Sequence, residues 1–237
     1  MNGRCLPLQA KYMLPTEMTN PPDELSARRP LKSRSSGWAT GGARLLLRLG
    51  LKPNQVSTLS VVFAAGALAA FLCPVPSFVT WLTAAACIQL RLVCNLMDGM
   101  LAVEGKLKSP NGDLFNEFPD RIADTLILAG LGAAGGTDLT QVLGWSAAAG
   151  ALMTACVRMH GASLTGLHDF RGPMAKPHRM ALATLTCVIM AILALAKIAA
   201  PVVLISLGLM VAGIVITLVR RLSGLSRELH RRSALKS

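Results

Sequence analysis

Charged residues are scarce in this chain. Only 15% of its 237 residues are Asp, Glu, Lys or Arg, whereas soluble domains usually carry about 25%. Aromatic residues make up 4%, and the mean hydropathy is +0.50. The apolar residues gather in long runs rich in Ala, Leu, Val and Gly. This composition argues against a soluble globular domain and favours an integral membrane protein.

Acidic residues are scarcer than basic ones, with 12 Asp and Glu against 24 Lys and Arg. A net charge of +12 is compatible with nucleic-acid binding, but the sequence has no aromatic–basic motif and no basic folded domain. We therefore expect no nucleic-acid partner. The six cysteines form no Cys-x-x-Cys motif, and we interpret them as small apolar residues in helix packing.

Six apolar runs predict transmembrane helices. They cover approximately residues 56–73, 78–97, 114–134, 143–157, 180–198 and 202–219. One polar loop, 99–113, joins the second and third spans, and another, 158–179, joins the fourth and fifth. The expected fold is an all-α integral membrane protein, in which 53–221 form a six-helix transmembrane catalytic domain.

The basic residues predict the orientation of the chain in the membrane. Most of them precede the first span, follow the last span or lie in the two long loops. The positive-inside rule then places both termini and both loops in the cytoplasm. We expect 1–29 to be a disordered cytoplasmic tail and 222–237 a basic cytoplasmic tail. Within 30–52, an amphipathic juxtamembrane helix is expected to lie along the interface with membrane lipid.

Four of the twelve acidic residues cluster at the adjoining ends of the second and third spans: Asp98, Glu117, Asp120 and Asp124. Ionisable groups within a bilayer cost about 2.5–3.5 kcal/mol each, so they indicate a function. Asn95 and Asp98 share one helix face, and Asn116, Asp120 and Asp124 form a stripe at a spacing of four. We expect the two faces to meet in a polar pocket that opens towards the cytoplasm.

A cluster of carboxylates without Cys or interleaved His is a set of hard oxygen ligands, which suits Mg²⁺ or Mn²⁺. The helices carry few cations to neutralise it, although Arg91 and Arg121 could do so. Two alternatives stay open. The carboxylates could form buried ion pairs with these arginines, or they could line the ion path of a transporter.

The stretch Asn95-Leu-Met-Asp98-Gly99-Met-Leu-Ala102, followed by Gly112 and by Asp120-Arg-Ile-Ala-Asp124, resembles the CDP-alcohol phosphotransferase signature. That signature reads D-x-x-D-G-x-x-A-R, eight residues, G, three residues, D, three residues, D. The Pro-Asn pair before the first span and the segment 172–181 before the fifth are also similar to family features. The resemblance covers roughly residue 29 to the C-terminus.

The chain departs from this signature at Asn95, where the family has Asp, and at Val103, where it has Arg. Counting strictly from Asp98 puts the last two acidic positions at Asn116 and Asp120. The wording Asp-x-x-Ala-Asp instead puts them at Asp120 and Asp124, and both registers stay open. Asparagines in this ring carry less negative charge than aspartates, which weakens the binding of a second divalent ion.

The resemblance implies an enzyme of phospholipid biosynthesis. Such an enzyme transfers a phosphatidyl or similar group from a CDP-linked lipid, such as CDP-diacylglycerol, to an alcohol acceptor and releases CMP. It also implies residue roles: metal ligands at Asn95, Asp98, Asn116, Asp120 and Asp124, nucleotide contacts at Asp98, Gly99, Ala102 and Gly112, a general base at Asp120 or Asp124, and acceptor phosphate contacts at Arg158, Lys176 and Arg179. Homodimers are usual in that family. Besides a transporter, a catalytically reduced member that binds nucleotide or lipid is the remaining alternative.

Overall fold

The computed structural model describes residues 37–104 and 112–235, with their side chains except at 103, 104, 112, 113, 115 and 116. This part of the chain contains seven helices and no strand. In chain order they are α1 (Gly37–Arg48), α2 (Pro53–Phe71), α3 (Phe78–Glu104), α4 (Gly112–Ala134), α5 (Asp138–Thr165), α6 (Lys176–Ala196) and α7 (Val202–Ala234). The predicted disordered tail, 1–29, lies outside the described residues.

Five of these helices, α2, α3, α5, α6 and α7, are long and apolar enough to cross a membrane. The all-α membrane architecture is thereby confirmed. Helix α4 is not among the five, because its first half carries Glu117, Asp120, Arg121 and Asp124. The count of six spans therefore stays a prediction, as does the position of α1 along the interface.

Three helices are longer than the apolar runs indicated. Helix α3 continues to Glu104 through the segment that was predicted as a loop from residue 99, α5 covers Asp138–Thr165, and α7 continues to Ala234. The apolar pattern predicts only the membrane-buried part of a helix, whereas Arg, Lys, Glu and Leu are good helix formers in water as well. With 33 residues, α7 is about 50 Å long, more than the hydrocarbon thickness of about 30 Å.

Local sequence explains where α5 begins and ends. The backbone N–H of Thr140 donates to the side chain of Thr137, which satisfies one of the free amides at the start of the helix. At the other end, Gly166 has a φ of 72°, a left-handed conformation that glycine adopts without steric cost. The 166–175 connection to α6 therefore begins at a fixed point.

The bundle is packed through small residues. Helix α4 packs against α2 and α5, α2 also packs against α3, and α6 lies between α3 and α7. A close backbone approach joins α4 and α5, where a Cβ on Gly144 would lie 2.7 Å from Gly132 Cα. Close backbone contact of this kind lets apolar helices associate by van der Waals packing alone.

The up-and-down order of the helices brings six helix ends together at one end of the bundle. These are the first turns of α2, α4 and α6 and the last membrane-level turns of α3, α5 and α7. Helix α1 packs against the same end of α3, where Ala39 and Ala43 are fully buried in a cluster with Met97 and Leu101. The polar side chains that the sequence singled out, as far as the structure describes them, lie near this end.

Candidate active site

Asp120, on the first half of α4, is held by donors from two other helices. Its Oδ1 accepts hydrogen bonds from Arg91 Nη2 at 3.2 Å and from the Asn95 amide, both on α3. Its Oδ2 accepts a hydrogen bond from the Lys176 ammonium, at the start of α6. Arg91 also donates to the Asp120 backbone carbonyl at 3.3 Å. The carboxylate therefore has a fixed orientation, and its side chain stays 15% exposed.

Asp124, one turn further along α4, is buried in an ion-pair network. Its Oδ1 lies 2.6 Å from Arg91 Nη2, and its Oδ2 lies 3.1 Å from Arg179 Nη2. Arg179 is buried as well, and its Nη1 donates to the Met174 carbonyl at 2.9 Å and to Thr154 Oγ1 at 3.3 Å. Both oxygens of Asp124 are thus occupied by arginine, and the network ties α3, α4 and α6 together.

Asp98, near the end of α3, has no ion pair within the described part of the chain. Its Oδ2 accepts a hydrogen bond of 2.6 Å from the Ser57 hydroxyl on α2. Its Oδ1 is buried and has no hydrogen-bond partner among the described residues. Buried carboxylate oxygens are normally paired, so an unpaired one indicates a missing ligand.

Glu117 connects the start of α4 to the end of α5. It pairs with Arg121 on its own helix and, at 2.6 Å, with Arg158 Nη2. The other terminal nitrogen of Arg158 lies 3.4 Å from His168 Nδ1, and its guanidinium lies 5.5 Å from the centre of the Phe170 ring. Arg158 therefore stands between the carboxylates and the connection between α5 and α6.

The expectation that the helices carry too few cations to neutralise the carboxylates is wrong. Within the described residues, four carboxylates lie among five cations: Arg91, Arg121, Arg158, Lys176 and Arg179. Three of these cations come from the end of α5 and the start of α6, remote in sequence from the carboxylates. The open alternative of buried ion pairs therefore accounts for Asp120, Asp124 and Glu117, and it leaves Asp98 unexplained.

The described residues include no group of three His, Cys, Asp or Glu side chains suited to hold a metal ion. Asparagine amide oxygens, which can also bind a metal ion, are not among these four side-chain types. Of the carboxylates, Asp124 is already neutralised by two arginines. What remains is the unpartnered Oδ1 of Asp98, with Asn95 one turn away on the same face. An oxygen donor of this kind fits a hard divalent cation.

The other predicted site residues, which were expected in the 99–113 loop, lie at helix ends instead. Gly99 and Ala102 lie in the last turns of α3, and Gly112 is the first residue of α4. The structure does not describe the side chains of Val103 and Asn116. Val103 is one of the two departures from the signature, and Asn116 belongs to one of the two registers.

A cavity of about 520 Å³ lies beside the carboxylates, between the end of α5, the 166–175 connection and α7. Arg158 and His168 line it on one side, and Arg171 and Arg221 on another. Arg221 is buried. Its guanidinium donates hydrogen bonds to backbone carbonyls of α5 and of the connection. Arg158 lines the cavity and also contacts Glu117, so the cavity adjoins the carboxylate cluster.

His168 and Asp169 are among the groups along this cavity that have shifted pKa values. Burial, together with the nearby Arg158 charge, lowers the pKa of His168, which favours its neutral form. For Asp169, burial would raise the pKa, but hydrogen bonds and charge from Arg171 outweigh it and lower the pKa. A neutral His168 can accept the hydrogen bond from Arg158, as the geometry requires.

Sequence reasoning missed Ser57. It lies one turn beyond the Pro53-Asn54 pair that begins α2, and it is buried at 3% exposure. A serine in an apolar span is usually satisfied by its own helix, and Ser57 does contact the Pro53 carbonyl at 3.2 Å. Its contact with Asp98, 41 residues away, had no local signal in the sequence.

Comparisons with known proteins bear on the fold and the family. No protein-family model matches the chain. A curated protein, the bifunctional IPC transferase and DIPP synthase of Rubrobacter xylanophilus, is 39% identical over 113 residues, or 48% of this chain and 25% of that protein. The chain thus spans about a quarter of the length of this relative.

Solved structures of the phosphatidylinositol phosphate synthase PgsA1 from Mycobacterium tuberculosis have the same fold. The structure with CDP-DAG bound has a TM-score of 0.65 at 22% identity, covering 79% of this chain and 92% of that one. The structure with manganese and citrate has the same TM-score and identity, and covers 79% and 88%. Both PgsA1 and the Rubrobacter protein are CDP-alcohol phosphotransferases.

The chain resembles the CDP-alcohol phosphotransferase family. The local sequence match and the PgsA1-like fold together confirm the resemblance that the signature predicted. The likeness to PgsA1 also supports an integral membrane protein, in agreement with the five apolar helices.

Proposed function

We propose that this protein is an integral membrane enzyme that transfers a phosphatidyl or similar group from a CDP-linked lipid to an alcohol and releases CMP. The observation that carries the proposal is the position of Asp98. Its unpartnered carboxylate oxygen lies in a signature segment, at the bundle end that also holds Asp120 and basic side chains. The likeness to a synthase solved with CDP-DAG bound supports the choice of donor.

The donor end of the site would be the last turns of α3. There, Asp98 with the Asn95 amide oxygen would hold a divalent cation, Mg²⁺ or Mn²⁺, which supplies electrostatic stabilisation of the pyrophosphate charge. A related structure that contains manganese supports this choice of ion. Gly99 and Ala102, with Gly112 across the gap, would let the nucleotide approach the backbone closely.

Asp120 is the better candidate for the general base. It lies closer to the bundle end than Asp124, keeps some exposure and faces Lys176. Asp124 has both oxygens paired with buried arginines, so we assign it to the structural network. This assignment favours the register that ends at Asn116 and Asp120, in which Asn116 would be the remaining amide ligand.

The acceptor alcohol would enter from the cavity beside Arg158. Its phosphate, if it carries one, would be met by Arg158 and Lys176, which keep some exposure, whereas Arg179 is buried in its pair with Asp124. Asp120 would accept the hydroxyl proton as the acceptor oxygen forms a bond to the lipid-side phosphorus. The bond from that phosphorus to the bridging oxygen breaks, and its electron pair leaves with CMP.

The proposal includes the topology that the charge pattern predicts. Helix α4 would be the sixth span, enclosed by its neighbours, and α1 would lie in the cytoplasmic interface among membrane lipids. Both termini and the active site would face the cytoplasm. The protein would form a homodimer, as is usual in the family it resembles.

CMP release tests the proposal. The protein in lipid nanodiscs receives CDP-diacylglycerol, Mn²⁺ or Mg²⁺ and a pool of alcohol acceptors. We expect CMP that requires both metal and acceptor. Asp120→Asn should abolish it, whereas the control Asp138→Asn, an exposed residue at the other end of the bundle, should retain it. A fully active Asp120→Asn variant would overturn the proposal.

The three donors that hold Asp120 support a second candidate function. The protein would then be a family member that has lost catalysis and binds nucleotide or lipid without turnover. Binding of cytidine nucleotide with no CMP release from any acceptor would favour it. Solute movement across the bilayer without nucleotide binding would instead support a transporter.

A further inference from the structure

We infer that this site takes one divalent cation rather than two, and that the ammonium of Lys176 supplies positive charge at Asp120 in place of a second ion. The inference rests on the proposed function and specifies the ion requirement of the same site. It depends on how the four described carboxylates are occupied.

Asp120 is already well supplied with donors. The two oxygens of a carboxylate offer about four acceptor positions. Oδ1 accepts from Arg91 and Asn95, and Oδ2 contacts the Lys176 ammonium. A divalent ion on Asp120 would have to share Oδ2 with that ammonium and lie beside two cationic groups.

Asn95 contributes to the same arrangement. Its Nδ2 donates to Asp120, so only its carbonyl oxygen remains for a cation, because an amide N–H cannot ligate one. An aspartate at this position would have no proton to donate and would repel Asp120. The departure of this chain from the family signature therefore fits a carboxylate that is neutralised by side chains.

Asp98 has the opposite environment. One of its oxygens accepts from Ser57, and the other is buried without a partner within the described residues. The residue is only 4% exposed and has no salt bridge there. Leaving a buried charge unpaired is costly, so a cation bound at this oxygen would stabilise the charged form of Asp98.

The charge of the described cluster also limits the number of ions. Its five cations exceed its four carboxylates by one. One divalent cation together with the doubly negative pyrophosphate of a CDP-linked lipid leaves this excess unchanged. A second divalent cation would add two uncompensated positive charges in a partly buried site, where such charges are expensive.

The test counts bound Mn²⁺ by electron paramagnetic resonance, with the protein in lipid nanodiscs and a saturating cytidine diphosphate probe. We expect one Mn²⁺ per chain in the native protein and none in Asp98→Asn. The double variant N95D/K176M, which restores an aspartate and removes the ammonium, should gain a second, weaker Mn²⁺. The single variant Lys176→Gln removes the charge, keeps a polar side chain and serves if the double variant fails to fold.

Two Mn²⁺ ions per native chain, or none, would overturn the inference. A count that stays at one in both Lys176 variants would overturn the role given to the lysine. The ion count does not depend on turnover. Two ions with CMP release would therefore contradict this inference alone, and one ion without CMP release from any acceptor would contradict the proposed function alone.

Discussion

Removing the Asp124 carboxylate should destabilise the protein before it affects chemistry. Asp124→Ala leaves Arg91 and Arg179 without their shared counter-ion, and these two side chains are 0% and 2% exposed. Removing one partner of a buried pair typically costs about 3–5 kcal/mol. Because about 1.4 kcal/mol is a factor of ten, the unfolding equilibrium constant should rise a hundredfold or more.

A matched control exists at the end of α7. Glu228 also pairs with two arginines, Arg231 and Arg232, but these are 67% and 39% exposed. Glu228→Gln should have little measurable effect, because water and salt screen exposed pairs. The assay is SDS-titration unfolding in mixed micelles, with helix content and CMP release followed on the same samples.

The outcome also decides the register of the signature. If Asp124 were a metal ligand or the general base, Asp124→Ala would keep its stability and lose CMP release. Equal stability of Asp124→Ala and Glu228→Gln would refute the ion-pair argument. In the double variant D124A/R179M, part of the lost stability should return, because Arg179 is the cation left without a carboxylate, whereas Arg91 keeps its contact with Asp120.

Three further predictions follow from single contacts. Ser57→Ala removes the hydrogen bond that orients the Asp98 carboxylate and should weaken Mn²⁺ binding by about 10–100-fold. Ser57→Thr should bind Mn²⁺ normally, and equal Mn²⁺ titration curves for the two variants would contradict this prediction. Gly144→Ala places a methyl group against the α4 backbone and should lower the free energy of unfolding by about 1–3 kcal/mol. Gly208→Ala, with no neighbour within 4 Å, should not lower the melting temperature, and equal melting temperatures of the two variants would argue against the close approach. Burial and Arg158 lower the pKa of His168, so the stability linked to its neutral form is full above its unfolded pKa of about 6.5 and is lost as pH falls below that value. The fall in melting temperature between pH 7.5 and 5.5 should therefore be smaller in His168→Gln, and an unchanged fall would contradict the role assigned to this histidine.

The local pattern of the sequence determined the class of fold and the centre of the site. Long apolar runs require helices in a bilayer, because only a helix satisfies its own backbone there. The spacing of Asn95 and Asp98, and the position of Asp120 in the next polar helix, predicted that Asn95 and Asp120 meet. They did not predict the contact of Asp98 with Ser57. The helices extended beyond the predicted spans because hydropathy does not register charged turns, as in α7.

The tertiary structure decided which charge neutralises which. Lys176 and Arg179 lie 56 and 55 residues from the carboxylates they contact, and no local spacing encodes such a pair. Asp120 and Asp124 occupy the same helical stripe, so the sequence treats them as equivalent. The packing of α3, α4 and α6 places Asp124 deeper than Asp120. Arginines therefore pair with both oxygens of Asp124 but not with both oxygens of Asp120.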